Sequence, residues 1–128
     1  MIRHLEGTYY AEAAAEGLDP LGPNNSQGYL AHVATRALVF IEADEATIGL
    51  LCFVAVGMAE VSSCVVSVKQ RQHVNKGDEI GFFQFGGSTH CLVFRRSAIE
   101  VFALQAIPRG ENGANSPIVR VNSLLARA

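Results

Sequence analysis

The chain has 128 residues, 49% of them hydrophobic and 17% charged, a balance that supports one folded domain with a real core and excludes a disordered chain. A net charge of −2, with only Lys69, Arg71 and Lys76 scattered near one another, leaves no electrostatic footprint for nucleic acid, so no nucleic-acid partner is expected. The longest apolar run, Ile48 to Met58, is broken by Gly49 and Gly57 and falls short of the ~20 residues that span a bilayer, so membrane contact would be peripheral.

In chain order, Ile2 to Tyr10 reads as an apolar and aromatic strand, and the alanine-rich Ala11 to Gly17 as one or two helical turns. LDPLGPNNSQG, Leu18 to Gly28, concentrates turn residues and reads as a surface loop. ALVFIE, from Ala37, and IGLLCFVAVGM, to Met58, are too continuously apolar for an exposed face and read as central strands, separated by a turn at Ala43 to Thr47. The acidic Glu42, Asp44 and Glu45 beside that turn are expected to be solvated. VSSCVVSVK, Val61 to Lys69, alternates as a sheet with one wetter face does, and QRQHVNKGDE connects it to IGFFQF. A hairpin of IGFFQF and HCLVFRR is expected, with Gly86, Gly87, Ser88 and Thr89 at its exposed tip, because glycine reaches positive φ without steric cost. Ala98 to Ile107 is a further strand candidate, followed by the polar loop PRGENGANSP and the closing VRVNSLLARA. The fold class expected is mostly β, a two-sheet sandwich or partly closed barrel of short antiparallel strands with little helix.

Cys52, Cys64 and Cys91 are odd in number, lack CxxC spacing and sit in apolar runs, which points to buried reduced thiols. His4, His32 and His73 have no partner spacing, so no metal site is expected. MIRHLEG has no signal-peptide core, and the expected location is cytoplasmic.

Around the glycine pair, Lys76, Gly77, Asp78, Gly81, Phe83, Phe85, Gly87, Ser88 and Thr89 resemble the Lys-Gly-Asp/Glu-x-x-Gly-x-Phe segment and Gly-Ser-Thr self-cleavage motif of the phosphatidylserine decarboxylase family. The resemblance implies that Ser88 attacks the Gly87 carbonyl. An ester replaces the amide, and elimination and hydrolysis then leave a pyruvoyl cofactor on residue 88, the two cleaved chains staying associated. The ketone would condense with a substrate amine as a Schiff base and act as the electron sink for decarboxylation. Its substrate would be an amine-bearing small molecule or phosphatidylserine; the segments around Ser88 look closer to the soluble fungal members that act on aromatic amino acids such as tryptophan. Val56 to Ser62 resembles, more loosely, the family's Val-Gly-Ala-x-x-Val-Gly stretch, which makes Met58 and Glu60 candidate pocket residues. His90, two residues beyond Ser88 and on the same strand face, is the nearest titratable group and the candidate base; the alternative is a strand histidine held by a hydrogen bond.

Nothing in MIRHLEGTYY resembles the Asp-Tyr-His-Arg-x-His-like segment from which the family's base comes. Residues 1–128 therefore look like the C-terminal part of the family's domain. Two functions stand side by side: a pyruvoyl-dependent carboxy-lyase cut at Gly87-Ser88, and a truncated, non-catalytic β module of carrier or binding type. The Val74 to Gly81 turn is also similar in architecture to biotinyl and lipoyl carrier hairpins, but no suitably flanked lysine stands at its tip.

Overall fold

The computed structural model describes residues 1–7, 27–57, 63–84, 88–110 and 115–128. Among the described residues eight strands and one α-helix are assigned: β1 (Ile2–Leu5), α1 (Gln27–Val33), β2 (Arg36–Glu42), β3 (Leu50–Val56), β4 (Cys64–Val66), β5 (Gly81–Phe83), β6 (Thr89–Phe94), β7 (Val101–Phe102) and β8 (Ala126–Arg127). They form three antiparallel sheets, and no barrel closes. The mostly-β expectation with short strands and little helix is met, with the strands shared among three sheets. By their contacts the residues group into two units, one of residues 1–41 and 52–93, the other of residues 42–51 and 94–128.

The first unit is built on a sheet of order β1-β2-β3-β6. β1 pairs β2 in antiparallel register from Ile2↔Val39 to Leu5↔Arg36. β2 and β3 are the interior strands, as their unbroken apolar runs require. β4 and β5 form a separate antiparallel pair, with Cys64↔Phe83, Val65↔Phe82 and Val66↔Gly81 opposed. Ala37, Ala55 and Cys64 make the buried centre, with Phe53, Val66 and Phe83 packed around them. α1 adds Leu30, and Ala34, one residue past its end with its N–H on the Leu30 carbonyl at 3.0 Å, is buried one turn further on at the i, i+4 spacing.

Two glycines of the family-like segment have backbone reasons for being glycine. Between Asn75 and Asp78 the chain turns with an Asp78 N–H to Asn75 carbonyl bond of 3.1 Å, and Gly77 at the third position has φ +95°, as a type II turn demands. A β-carbon on Gly81 would run into the carbonyl oxygen of Val65 on the neighbouring strand. The Asp78 carboxylate accepts the Asn75 backbone N–H at 2.7 Å and closes the same turn from the side chain.

The second unit holds the turn of residues 43–49, where Gly49 has φ +58° and lies against the Arg95 guanidinium. Asp44 and Glu45 are exposed there, as expected, and Arg95 Nη2 donates to the Ala46 carbonyl at 3.3 Å. β7 and β8 pair through Val101↔Arg127 and Phe102↔Ala126.

Several expectations are corrected. β5 and β6 do not form a hairpin: β5 pairs β4 while β6 joins β3, so the two strands belong to different sheets. Gln27 and Gly28, read as the end of a loop, open α1. Ala98 to Ile107 is strand only at Val101–Phe102, after which Leu104–Ala106 forms a 3-10 turn. The readings for residues 8–26 lie outside the described residues.

Opposite signs are expected for two Gly→Ala substitutions. Gly81→Ala forces β4 and β5 apart and lowers the melting temperature, whereas Gly28→Ala, which meets nothing within 4 Å in the first turn of α1, stabilises by about 0.5–1 kcal/mol. Thermal unfolding of both variants checks this, and a neutral Gly81→Ala would contradict the close strand approach.

Candidate functional site

Ser88 sits where the chain enters the four-stranded sheet, one residue before β6 begins. β6 lies beside β3, and at the end of β3 the Val56 side chain is fully buried while its carbonyl is left to accept from a side chain. Ser88 Oγ donates a hydrogen bond to that carbonyl. The hydroxyl is thus half-buried and held, not displayed at a hairpin tip as the sequence suggested. Just beyond Val56, the Gly57 N–H donates to Thr35 O at 2.8 Å, tying the end of β3 to the residue preceding β2.

Thr89 is half-buried and His90 exposed. The His90 ring stacks on Phe53 of β3, with ring centroids 5.3 Å apart and planes 25° from parallel. Among the described residues no hydrogen bond joins His90 to Ser88; an aromatic face, rather than a hydrogen bond, holds the imidazole. Gly86, Gly87, Phe85, Met58 and Glu60 lie outside the described residues. Of the positions singled out in the sequence, Ser88, Thr89 and His90 are consecutive along one edge of β3.

Phe53 also belongs to a feature the sequence did not announce. With Val39 and Ala55 it forms the sheet side of a mostly apolar, partly open pocket of about 70 Å³, bounded on the other side by Val65, Val66, Ile80, Gly81, Phe82 and Phe83. The signal was present as parity, since Phe53 and Ala55 share one face of β3. It was hidden because every residue of β3 is apolar.

The other reactive groups are dispersed. Among the described residues no group of three or more His, Cys, Asp or Glu side chains could hold a metal. His32 Nδ1 lies 2.7 Å from the Gly28 carbonyl inside α1. All three cysteines are free, but only Cys64 is buried; Cys52 and Cys91 are half-buried, because β3 and β6 are covered less completely than their composition suggests. Burial pushes the Cys64 thiol pKa up, against a smaller lowering from the backbone of Ala37 and Gly57. Burial also raises Cys52.

Comparison of the sequence with known proteins identifies a family. The sequence model for phosphatidylserine decarboxylase matches residues 1–113. The chain belongs to the phosphatidylserine decarboxylase family. Similar members of known name include Decarboxylase iboD of Amanita muscaria, 46% identical over 134 residues, covering 96% of this chain and 36% of that protein. L-tryptophan decarboxylase of Psilocybe cubensis is 41% identical over 103 residues, covering 74% of this chain and 24% of its own. Phosphatidylserine decarboxylase proenzyme 2 of Komagataella phaffii is 35% identical over 96 residues, which is 73% of this chain and 8% of that protein. This member of the phosphatidylserine decarboxylase family thus spans about a third or less of the length of these relatives. Among the described residues no helix is long and apolar enough to cross a membrane.

The thiols give a test of the burial just described. Because the thiolate is the reactive form, alkylation of Cys64 in the folded protein should lag well behind that of Cys91. A thiol whose folded pKa is raised contributes stability that is complete below its unfolded value of about 8.5 and is lost as pH rises through the folded value. The urea midpoint is therefore expected to fall above about pH 8.5, and less steeply in Cys64→Ala. Equal alkylation rates, or an unchanged pH dependence in that variant, would contradict burial at Cys64.

Proposed function

We propose that residues 1–128 are the C-terminal part of a phosphatidylserine decarboxylase-like domain and carry the cleavage serine of a pyruvoyl-dependent decarboxylase. Ser88 is the precursor of the cofactor and Gly87-Ser88 the bond that is cut. What supports this most is the Ser88 hydroxyl seated on the Val56 carbonyl at the entry to β6, within a chain of this family.

The residues present fit the group. Ser88 is half-buried, and β6 pairs with β3 from the next residue onward, so a new N-terminus at position 88 stays anchored after the chain is cut. In the cleavage, Ser88 Oγ bonds to the Gly87 carbonyl carbon and the Gly87-Ser88 carbon–nitrogen bond breaks, leaving an ester. Loss of the residue 88 α-proton expels Gly87 as a carboxylate, and water then displaces the freed nitrogen as ammonia. Val56 O orients the hydroxyl, and Phe53 keeps the neighbouring floor apolar. A pyruvoyl carbonyl at residue 88 supplies an electron sink toward which an amine-bearing acid, free or as a phosphatidylserine headgroup, loses carbon dioxide.

The Val56 carbonyl is not a base, so it positions the Ser88 proton without removing it. A serine hydroxyl without a base is a weak nucleophile. General base catalysis is worth about 10²–10⁴ in rate, and this chain by itself is expected to process slowly by that factor relative to one extended upstream.

Denaturing mass spectrometry tests the reading. Processing yields fragments 1–87 and 88–128, the second blocked as pyruvoyl, and Ser88→Ala yields only intact chain. A free serine N-terminus, or fragments that persist in Ser88→Ala, would replace self-cleavage with ordinary proteolysis. Release of labelled carbon dioxide from carboxyl-labelled tryptophan and phosphatidylserine should be much faster with the extended chain. Full turnover by the 128-residue chain would move the base to His90 or His4. An intact extended chain with no turnover would leave the non-catalytic β module.

A further inference from the structure

Two contacts bracket the way β6 lies on β3. Ser88 Oγ donates to the Val56 carbonyl, and the His90 ring stacks on Phe53 with centroids 5.3 Å apart. Advancing from 88 to 90 along β6 thus means retreating from 56 to 53 along β3, as antiparallel neighbours require. One residue beyond His90 stands Cys91, and one residue before Phe53 stands Cys52. The same pairing sets these two cysteines opposite each other.

Side chains alternate across a strand, so Cys52 and Cys91 share the face of the sheet away from Phe53 and His90. Cys64 is kept apart from them. Its thiol is buried with Ala37 and Ala55 on the Phe53 side, donating to the carbonyls of Thr35 at 3.9 Å and Ala55 at 3.7 Å. Opposed residues of antiparallel strands have α-carbons about 4.5–5.5 Å apart, inside the about 4.4–6.8 Å that a disulfide bridges. Cys52 and Cys91 are both free and half-buried, which leaves them open to a small reagent. The Cys52 thiol donates to the Phe53 carbonyl at 3.7 Å, a weak bond that is easily given up.

We propose that Cys52 and Cys91 are a redox-active pair that closes into a cross-strand disulfide. The co-reactant is a small disulfide of the glutathione type. One cysteine thiolate attacks it and expels a glutathione thiolate, and the other then attacks the mixed disulfide and expels the second. The two electrons and the two cysteine protons leave on two glutathione thiols. The disulfide itself depends on the sheet alone; its consequence for maturation rests on the cleavage reading above. Cys52 precedes the Gly87-Ser88 bond and Cys91 follows it, so oxidation would rejoin the two cut chains through sulfur.

Peptide mapping reads the pair apart from cleavage. The full chain carrying Ser88→Ala is treated, folded, with oxidised glutathione, then alkylated and digested with trypsin without reductant. A peptide of residues 37–69 joined to one of residues 77–95 is expected, and the unmutated chain oxidised before any cut should give the same link. The link should persist in Cys64→Ala and vanish in Cys52→Ala and in Cys91→Ala, and dithiothreitol should return all three thiols to alkylation. A link through Cys64, a link between two chains, mixed disulfides that never resolve, or unhindered alkylation of Cys52 and Cys91 after oxidation would each overturn the proposal. In cut protein, oxidised electrophoresis samples should run as one band that reductant splits into 1–87 and 88–128, and two bands without reductant would overturn the rejoining. A chain that is never cut counts against the cleavage reading, while the Ser88→Ala map still decides the disulfide.

Discussion

Pairing of β3 on both sides, with β2 and with β6, is the constraint on which the site depends. An interior strand spends its backbone groups on its neighbours, and only at its end is a carbonyl left for a side chain. Val56 is that end, and the Ser88 hydroxyl is what it receives. The same strand directs Phe53 and Ala55 toward the hairpin, so one element both receives the Ser88 hydroxyl and supplies an apolar wall.

The centre of the first unit is made of small side chains. Ala37, Ala55 and Cys64 let the β4–β5 pair approach the sheet closely, and the larger Phe53, Val66 and Phe83 are packed around them. Small residues in the middle and rings at the margin leave unfilled volume at the margin, and the cavity lies there. Close packing transmits changes in volume, so the hairpin, the sheet and the cavity cannot be altered independently.

Much of this was legible in the sequence where local patterns decide the outcome. The interior strands β2 and β3 follow from unbroken apolar runs, the turn at Gly77 from its chemistry, and the family from the residues around Ser88. Strand pairing was not legible, because two glycines followed by two hydroxyl residues suit a hairpin tip and a crossing between sheets equally well. The choice is made by a distant partner: β5 is taken by β4 through Cys64↔Phe83, which leaves β6 to β3. α1 escaped notice for a different reason, since seven residues span two turns and give the Leu30 and Ala34 spacing too few repeats to stand out. The cavity required knowing that β4 and β5 lie over the sheet, which no periodicity contains.

The membership of β5 and β6 in different sheets bears on assembly. A cut between 87 and 88 would divide the described strands into β1 to β5 on one polypeptide and β6 to β8 on the other. β6, with β3 as its one neighbour among the described residues, would then be a guest completing a sheet that belongs to a different molecule. Folding before the cut is unimolecular, but refolding after it would require two chains to meet, at a rate set by concentration. Maturation of this kind would be a ratchet: the covalent link would serve to build the sheet, and once it was gone the architecture would persist as a complex that dilution after unfolding would not restore.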